Sequence, residues 1–519
     1  MVGSWLPAIV APHGPHNDLG YQVYHLMICG RPTEALALAD EYEPLARGLG
    51  DDRTVATIMQ ARMYALVRLE RFAEALATGD ELLEAQRRDG LRPNEAKALA
   101  DTAEILIRLG RLDEGLYRLA AATVLLDEVP TTNIRYGSAL SSVCGAARSA
   151  QLYELAEESA SRALRASPDI AIELSPQRAE LLLDWALGLE QAGWAEDAAR
   201  YYARSVAQTE HWLAGHAEDA DRAPLVTVTR AIGLAKLGRH AEAEALVRDL
   251  IAPMRLAGND QEARRAHLAY GVALRGRGEY AAARREFIAA LELADNPWQR
   301  LTLEYEMADL TAAERTDSAA HAVRTVLRAQ AQYLWRLRLE RRTMLHQARQ
   351  RIELEAARAA ADRAVARDAL TGLGNRRQFD RQIADADESY VLVLIDVDNF
   401  KTINDSYSHS TGDRILCEVA ATLRAHCRAE DSAVRLGGDE FAMFLRTDAD
   451  RAAGVAERIR GVLAERDWSP FGAGLSVTLS IGIARCGRDI DPSALYDRAD
   501  RQLYEAKRRG RNQISVGAA

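Results

Sequence analysis

The chain changes rhythm once. Up to about residue 330, apolar residues return every three or four positions, the spacing of helices that each bury one face. After residue 368 the apolar positions gather into short runs bounded by turn residues. These are YVLVLI at 390–395, VRL at 434–436, FAMFL at 441–445 and SVTLSIGIA at 476–484. Such runs read as strands, and Gly437-Gly438 between two of them reads as a tight hairpin turn. Helical spacing separates the runs at 411–426, 450–465 and 493–509, and a short strand at 513–516 closes the chain. This order predicts an α/β sandwich behind a long helical region.

The helical region repeats itself. A small residue or turn, a flanking polar or aromatic residue and an Ala-rich amphipathic helix recur at Gly30-Arg31, Glu70-Arg71, Gly110-Arg111 and Ala150-Gln151. They recur again at Gly193-Trp194, Gly238-Arg239 and Gly278-Glu279, with a weaker copy at Thr316-Asp317. The first intervals are 40, 40 and 40 residues and the next are 43, 45 and 40. A fixed period of this length predicts stacked helical hairpins, each burying its apolar stripe against its neighbours. Ala35, Ala75, Ala199, Ala241 and Ala282 are expected where paired helices approach closely. The pattern resembles tetratricopeptide repeats, whose period of about 34 residues is shorter. That resemblance implies an α-solenoid over residues 17–330, following an N-terminal extension at 1–16, with a concave face for a protein or peptide partner.

Between Ala319 and Arg367 there is neither Gly nor Pro, which predicts one long helix. Leu345, Ala348, Ile352, Ala359 and Ala366 fall on a heptad seam, with Glu355 and Asp362 at the intervening seam positions. Residues 331–367 are therefore expected to form a weak coiled coil that pairs two copies of the chain.

Composition narrows the function. The 519 residues are 48% hydrophobic and 27% charged, with a net charge of −10, which argues against general nucleic-acid binding. No apolar run approaches the ~20 residues of a membrane helix, and no basic segment precedes the short apolar patch at the start. The five cysteines show no metal or redox spacing and are expected as reduced thiols. A cytoplasmic protein without membrane or nucleic-acid partners is expected.

The chemistry gathers at the hairpin. Asp439 and Glu440 follow Gly437-Gly438 at once, and the first strand ends in Asp396-Val397-Asp398-Asn399-Phe400-Lys401. Carboxylates at a strand end, near a turn whose glycines admit a ligand to the backbone, can share a hard divalent cation with phosphates. The string GGDEF at 437–441, with DALTGLGNRR at 368–377, resembles the signature of GGDEF-family diguanylate cyclases. The fold expected is thus multidomain: an all-α, tetratricopeptide-like solenoid, a long connecting helix, then an α/β GGDEF domain at 368–519, with the palm-like fold of nucleotidyl cyclases.

The resemblance implies site residues and an activity. Mg²⁺, with Mn²⁺ as an alternative, is expected on Asp396, the Val397 carbonyl and Glu440, with Asp439 and Glu440 in the catalytic roles. GTP is expected against Asn399, Phe400, Lys401, Gly437 and Gly438, with Lys507 and Arg511 holding its phosphates. Asn404 and Asp413 are expected to read the guanine edge, a role that competes with helix and turn capping. Arg428 and Asp431 form an RxxD, which with Arg458 implies an inhibitory site for the product. The activity implied is conversion of two GTP into cyclic di-GMP and two pyrophosphates in a homodimer. The alternative is a catalytically silent nucleotide sensor acting through its repeats. Ser408 stands where the family usually has Gly, and Asn399 where it usually has an aromatic residue or His.

Overall fold

The structure is a computed structural model that describes residues 15–28, 31–128, 133–167, 170–219, 222–294, 297–314, 318–487 and 491–517. Most of the N-terminal extension, Gly30, Cys29 and the weak repeat copy at Thr316-Asp317 lie outside the described residues. The chain divides into two compact units, Met1–Leu354 and Glu355–Ala519.

The first unit is a run of antiparallel helical hairpins. They are α1 (Asn17–Ile28) with α2 (Pro32–Gly48), α3 (Asp52–Arg68) with α4 (Phe72–Asp89), and α5 (Arg92–Arg108) with α6 (Leu112–Asp127). Next come α7 (Ile134–Ser149) with α8 (Tyr153–Ala166) and α9 (Ala171–Gln191) with α10 (Ala195–His216). Then α11 (Ala223–Lys236) pairs with α12 (His240–Val247) and its continuation α13 (Ile251–Leu256), and α14 (Asp260–Gly276) with α15 (Tyr280–Glu292). The break between α12 and α13 fits Pro253, whose ring clashes with the carbonyl four residues earlier. Longer helices at α9 and α10 account for the stretched intervals of 43 and 45 residues.

Among the described residues, each repeated anchor is the turn inside a hairpin. Glu70, Gly110, Gln151, Gly193, Gly238 and Gly278 all have positive φ, between 58° and 95°. The next residue closes a six-to-one helix cap onto the preceding helix, as in Arg71 N–H to Leu66 O and Arg111 N–H to Leu106 O. That residue then starts the following helix. Four of these starts carry an Arg paired with a Glu three residues on: Arg31–Glu34, Arg71–Glu74, Arg111–Glu114 and Arg239–Glu242.

The small residue that lets the two helices meet sits four positions after each start. Ala35, Ala75, Gly115, Ala156, Ala198, Ala243 and Ala283 are all buried. Ala35 and Ala75 are as expected. Ala199 and Ala241 are instead exposed and Ala282 is half-buried, because helix phase moves the inward position one or two residues away. At Gly115 a Cβ would come within 2.7 Å of Ile107 Cγ1 and 3.0 Å of the Ala103 carbonyl, so that crossing requires Gly.

After α16 (Pro297–Glu314), the helix α17 (Ser318–Val365) runs unbroken for 48 residues. The first three positions of its expected seam meet the repeats: Leu345 is buried in the core of the first unit, and Ala348 and Ile352 pack against it, whereas Ala359 is exposed and Ala366 lies one residue past the helix. Residues 353–362 are exposed. Among the described residues no helix is long and apolar enough to cross a membrane, and Cys144, Cys417, Cys427 and Cys486 are unpaired.

The second unit is a five-stranded sheet between helices. After α18 (Arg376–Asp385) come β1 (Tyr390–Val397), α19 (Phe400–Tyr407), α20 (His409–Ala425), β2 (Ser432–Gly437) and β3 (Glu440–Arg446). They are followed by α21 (Ala449–Ala464), β4 (Leu479–Arg485), α22 (Pro492–Arg508) and β5 (Ile514–Val516). The order is β2-β3-β1-β4-β5, with only β4 and β5 parallel. Strand alternation separates two cores. Val391, Val393, Ile395, Phe441 and Met443 face α20 and α21. Leu392, Leu394, Ala442 and Phe444 face α18 and α22.

Candidate active site

Asp396 is the last even-numbered residue of β1, so alternation places it on the same face as Leu392 and Leu394. In register it lies directly opposite Glu440, the first residue of β3. Directly opposed positions carry their side chains on one face of a sheet. The hairpin turn is Gly438-Asp439, one residue later than the sequence suggests. Gly437 sits at a bulge with φ 150°, and Gly438 adopts φ 54°. The turn is tied down: Val397 N–H donates to the Asp439 carbonyl at 3.3 Å, and Arg435 donates to the Gly438 carbonyl at 2.7 and 3.0 Å. Arg435 also reaches Asp368, at 3.1 Å, in the turn that opens the domain.

Lys507 arrives on the same face. Its ammonium lies 2.6 Å from Asp396 Oδ2. What brings it there is Gly482 in β4, where a Cβ would collide with the backbone of α22 at Ala499 and Leu503. The helix therefore lies directly on the strand, and its last turn overhangs the end of β1. Burial pushes the Asp396 carboxyl up, Lys507 opposes this, and the charges of Asp439 and Glu440 add to the rise, leaving it at about 6. The charges of Asp439 and Glu440 act on Asp396 alongside the single Lys507 ammonium, so this end of β1 carries an excess of negative charge. With the Val397 carbonyl beside them, this donor set suits Mg²⁺, which takes one or two protein carboxylates and completes its shell with water and substrate phosphates. Among the described residues no group of three or more His, Cys, Asp or Glu side chains is arranged to hold a metal ion by itself.

Asp398, in the turn one residue past β1, differs from Asp396. It is buried, and it accepts from Ser480 Oγ at 2.6 Å, Thr478 Oγ1 at 2.7 Å and the Asn512 N–H at 2.9 Å. Those bonds engage both oxygens, so Asp398 fixes the turn before β5. Asn399, next in sequence, takes the left-handed conformation at φ 54°, which Asn tolerates better than an aromatic residue does. It starts α19, so Asn399, Phe400 and Lys401 form the first turn beyond the strand.

Asn404 meets α20 at Gly412, the residue before Asp413. A Cβ at Gly412 would collide with Asn404 Oδ1, so α19 and α20 cross here at minimum distance. Asn404 Oδ1 is buried and accepts no hydrogen bond from the described residues. Asp413 is exposed in the second turn of α20. Capping does not explain it, since Ser408 supplies the cap by accepting from Thr411 N–H. Ser408 does so at φ 123°.

Arg511 is exposed at φ 62°, just past α22. In the RxxD turn, Asp431 accepts from the backbone N–H of Arg428 at 2.9 Å and of Arg446 at 3.0 Å, so it holds the turn to the end of β3. The Arg428 side chain is exposed, and Arg458 is exposed on α21. Reading the sequence missed Arg435, Asp398, Gly412 and Gly482 as positioning residues. The isolated Gly in SVTLSIGIA was the available signal, since a lone Gly in a strand often marks close backbone approach.

The family model described as "Diguanylate cyclase, GGDEF domain" matches residues 365–513. Diguanylate cyclase DgcM of Escherichia coli is 42% identical over 161 residues, covering 30% of this chain and 38% of that protein. Diguanylate cyclase DgcS of Shewanella oneidensis is 38% identical over 152 residues, covering 28% of this chain and 50% of that protein. The chain thus spans half or less of these relatives. The coiled coil and GGDEF domain of DgcB from Caulobacter crescentus, solved with c-di-GMP, is 32% identical, covers 34% of this chain and 99% of that one, and has a TM-score of 0.31. Residues 365–513, with the hairpin, the paired carboxylates and the close-packed last helix, belong to the GGDEF domain family.

Proposed function

We propose that the protein is a diguanylate cyclase, converting two GTP into cyclic di-GMP and two pyrophosphates. The observation that carries this reading is the direct opposition of Asp396 and Glu440 beside the Gly437-Gly438 turn, with Lys507 reaching Asp396. The 3′-hydroxyl of each nucleotide attacks the α-phosphate of the other. The P–O bond to the leaving pyrophosphate breaks, and the hydroxyl proton is received at Asp439 or Glu440. One domain holding one GTP cannot close the ring, so the active unit is a homodimer.

Asp396, the Val397 carbonyl and Glu440 would hold Mg²⁺ or Mn²⁺, which neutralises phosphate charge when bound. The backbone of Asn399, Phe400 and Lys401, the two turn glycines, Lys507 and Arg511 take the triphosphate. The Asp413 carboxylate accepts from guanine N1–H and N2–H, and the Asn404 amide completes the base edge, a combination adenine cannot satisfy. Arg428, Asp431 and Arg458 form an inhibitory site for cyclic di-GMP. The helical repeats take a protein or peptide partner and set, through α17, how often two half-sites meet in the cytoplasm.

The test uses purified full chain with GTP and Mg²⁺, products separated by chromatography, beside Glu440→Gln. Cyclic di-GMP from the wild type, reduced on the order of a hundredfold or more in the variant, is expected. Equal product from both would remove the metal role of Glu440. No product from either, at protein concentrations where the chain is shown to be dimeric, would overturn the cyclase.

A further inference from the structure

One face of α17 has two claims on it. Within the first unit its buried positions are Ala331, Arg338 and Leu345, each seven residues from the next and 7–8% exposed. This heptad stripe continues at Ile352 and, past the repeats, at Ala359; Ala366, one residue beyond α17, is buried. The face that pairs helices in a coiled coil is therefore the face now lying on the repeats.

The contact is built in detail. The Trp335 ring lies 6.2 Å from that of Tyr153 and meets Trp194 edge-on at 5.4 Å. The Arg338 guanidinium sits 4.3 Å over Trp335 and pairs with Glu154 at 2.6 Å. Gln332 donates to the Ala192 carbonyl at 3.0 Å, and Arg341 to the Ala150 carbonyl at 3.1 Å. Ala192 and Ala150 cap the C-termini of α9 and α7, where carbonyls lack helical partners and the helix dipole favours cations. Polar Arg338 and Arg341 thus fit the repeats and would weaken an apolar seam between two helices. Leu345, Ala348 and Ile352 suit either partner.

We propose that residues 345–352 of α17 are a pairing surface for the same helix of a second copy, masked in this conformation by the chain's own repeats. The two uses exclude each other, because Leu345 cannot be buried in both cores. Trp335 and the Arg338–Glu154 pair form the latch. Release of the latch adds Leu345, Ala348 and Ile352 to the exposed seam position Ala359. The inference deepens the homodimer part of the proposed function and rests on it.

The test measures self-association of the full chain by sedimentation equilibrium without nucleotide, beside hydrogen exchange over residues 328–352. Disulfide formation in an Ala359→Cys background reports pairing of the seam directly. Glu154→Arg and Arg338→Glu, made singly, are expected to speed exchange, tighten self-association about tenfold and hasten the cross-link. The double variant restores the ion pair with reversed charge and is expected to return all three readouts toward wild type. Trp335→Ala is expected to match the single charge variants, which guards against misfolding of any one of them. Faster exchange with unchanged self-association and cross-linking overturns the masking. Unchanged exchange in every single variant overturns the latch. Tighter association without cyclic di-GMP production would leave the masking standing and remove the cyclase.

Discussion

At the scale of single residues, neighbouring positions of one chemical type do different work. Asp396 near the end of β1 and Asp398 in the turn just after it are two residues apart, yet one faces Glu440 and Lys507 while the other is held by Ser480, Thr478 and Asn512. Ser408 shows the same local decision. At φ 123° and ψ 157° it occupies a region that is essentially Gly-only, at a cost of about 1–3 kcal/mol. Its hydroxyl caps α20, but Gly at such a position loses only a few tenths of a kcal/mol. Ser408→Gly is therefore expected to stabilise the C-terminal unit by about 1 kcal/mol, read as a raised denaturant midpoint with unchanged slope. A lowered midpoint would mean that the hydroxyl contributes more than the strain costs. The departure of this residue from the family pattern was legible in the sequence. Its capping role was not, because that depends on where α20 begins.

At the scale of elements, the turns were readable and the phases were not. Gly110, Gly193, Gly238 and Gly278 announce hairpin turns by residue type. Glu70 and Gln151 fill the same left-handed position without that signal and were found through the 40-residue period alone. Which Ala faces inward depends on helix phase, fixed by the cap that starts each helix. Ala243→Leu is expected to cost about 1–3 kcal/mol by overpacking, whereas Ala241→Leu, two residues away on the exposed side, stays within about 0.5 kcal/mol of wild type. Thermal denaturation of both variants checks this, and equal costs would contradict the phase. In the C-terminal unit β1, β4 and the long helices followed the expected runs within a few residues. The helices α18 and α19 are short and polar enough that periodicity did not announce them.

At the scale of the molecule, the repeats hold together partly through charge inside the stack. Glu180 on α9 meets Arg148 at 2.8 Å and Arg265 at 3.1 Å, and Arg148 also meets Asp184 at 2.7 Å. Burial raises the Glu180 carboxyl, but the guanidiniums of Arg265 and Arg148 outweigh it and bring it down to about 2, from an ordinary value of 4.5. A carboxyl depressed on folding adds stability above its unfolded value, and that stability is lost as pH falls from about 4.5 to 2. Glu180→Gln is expected to lower stability at pH 7 by about 2–3 kcal/mol and to converge with wild type near pH 2. A constant difference across that range would place the effect in packing instead of charge.

The sequence by itself determined the two-part organisation, the repeat period, the long helix and the identity of the hairpin carboxylates. Each of these is written in local spacing: apolar period, turn residues, and the adjacent string at 437–441. Tertiary structure decided the rest, because it depends on distance across the fold. Only strand register sets Asp396 against Glu440, and only the missing Cβ of Gly482 lets α22 bring Lys507 to them. Likewise a heptad seam states that one face of α17 is apolar, but not what covers it. The fold seats Leu345 and Ile352 on the repeats, since a buried face is satisfied by whichever apolar surface the rest of the chain places against it.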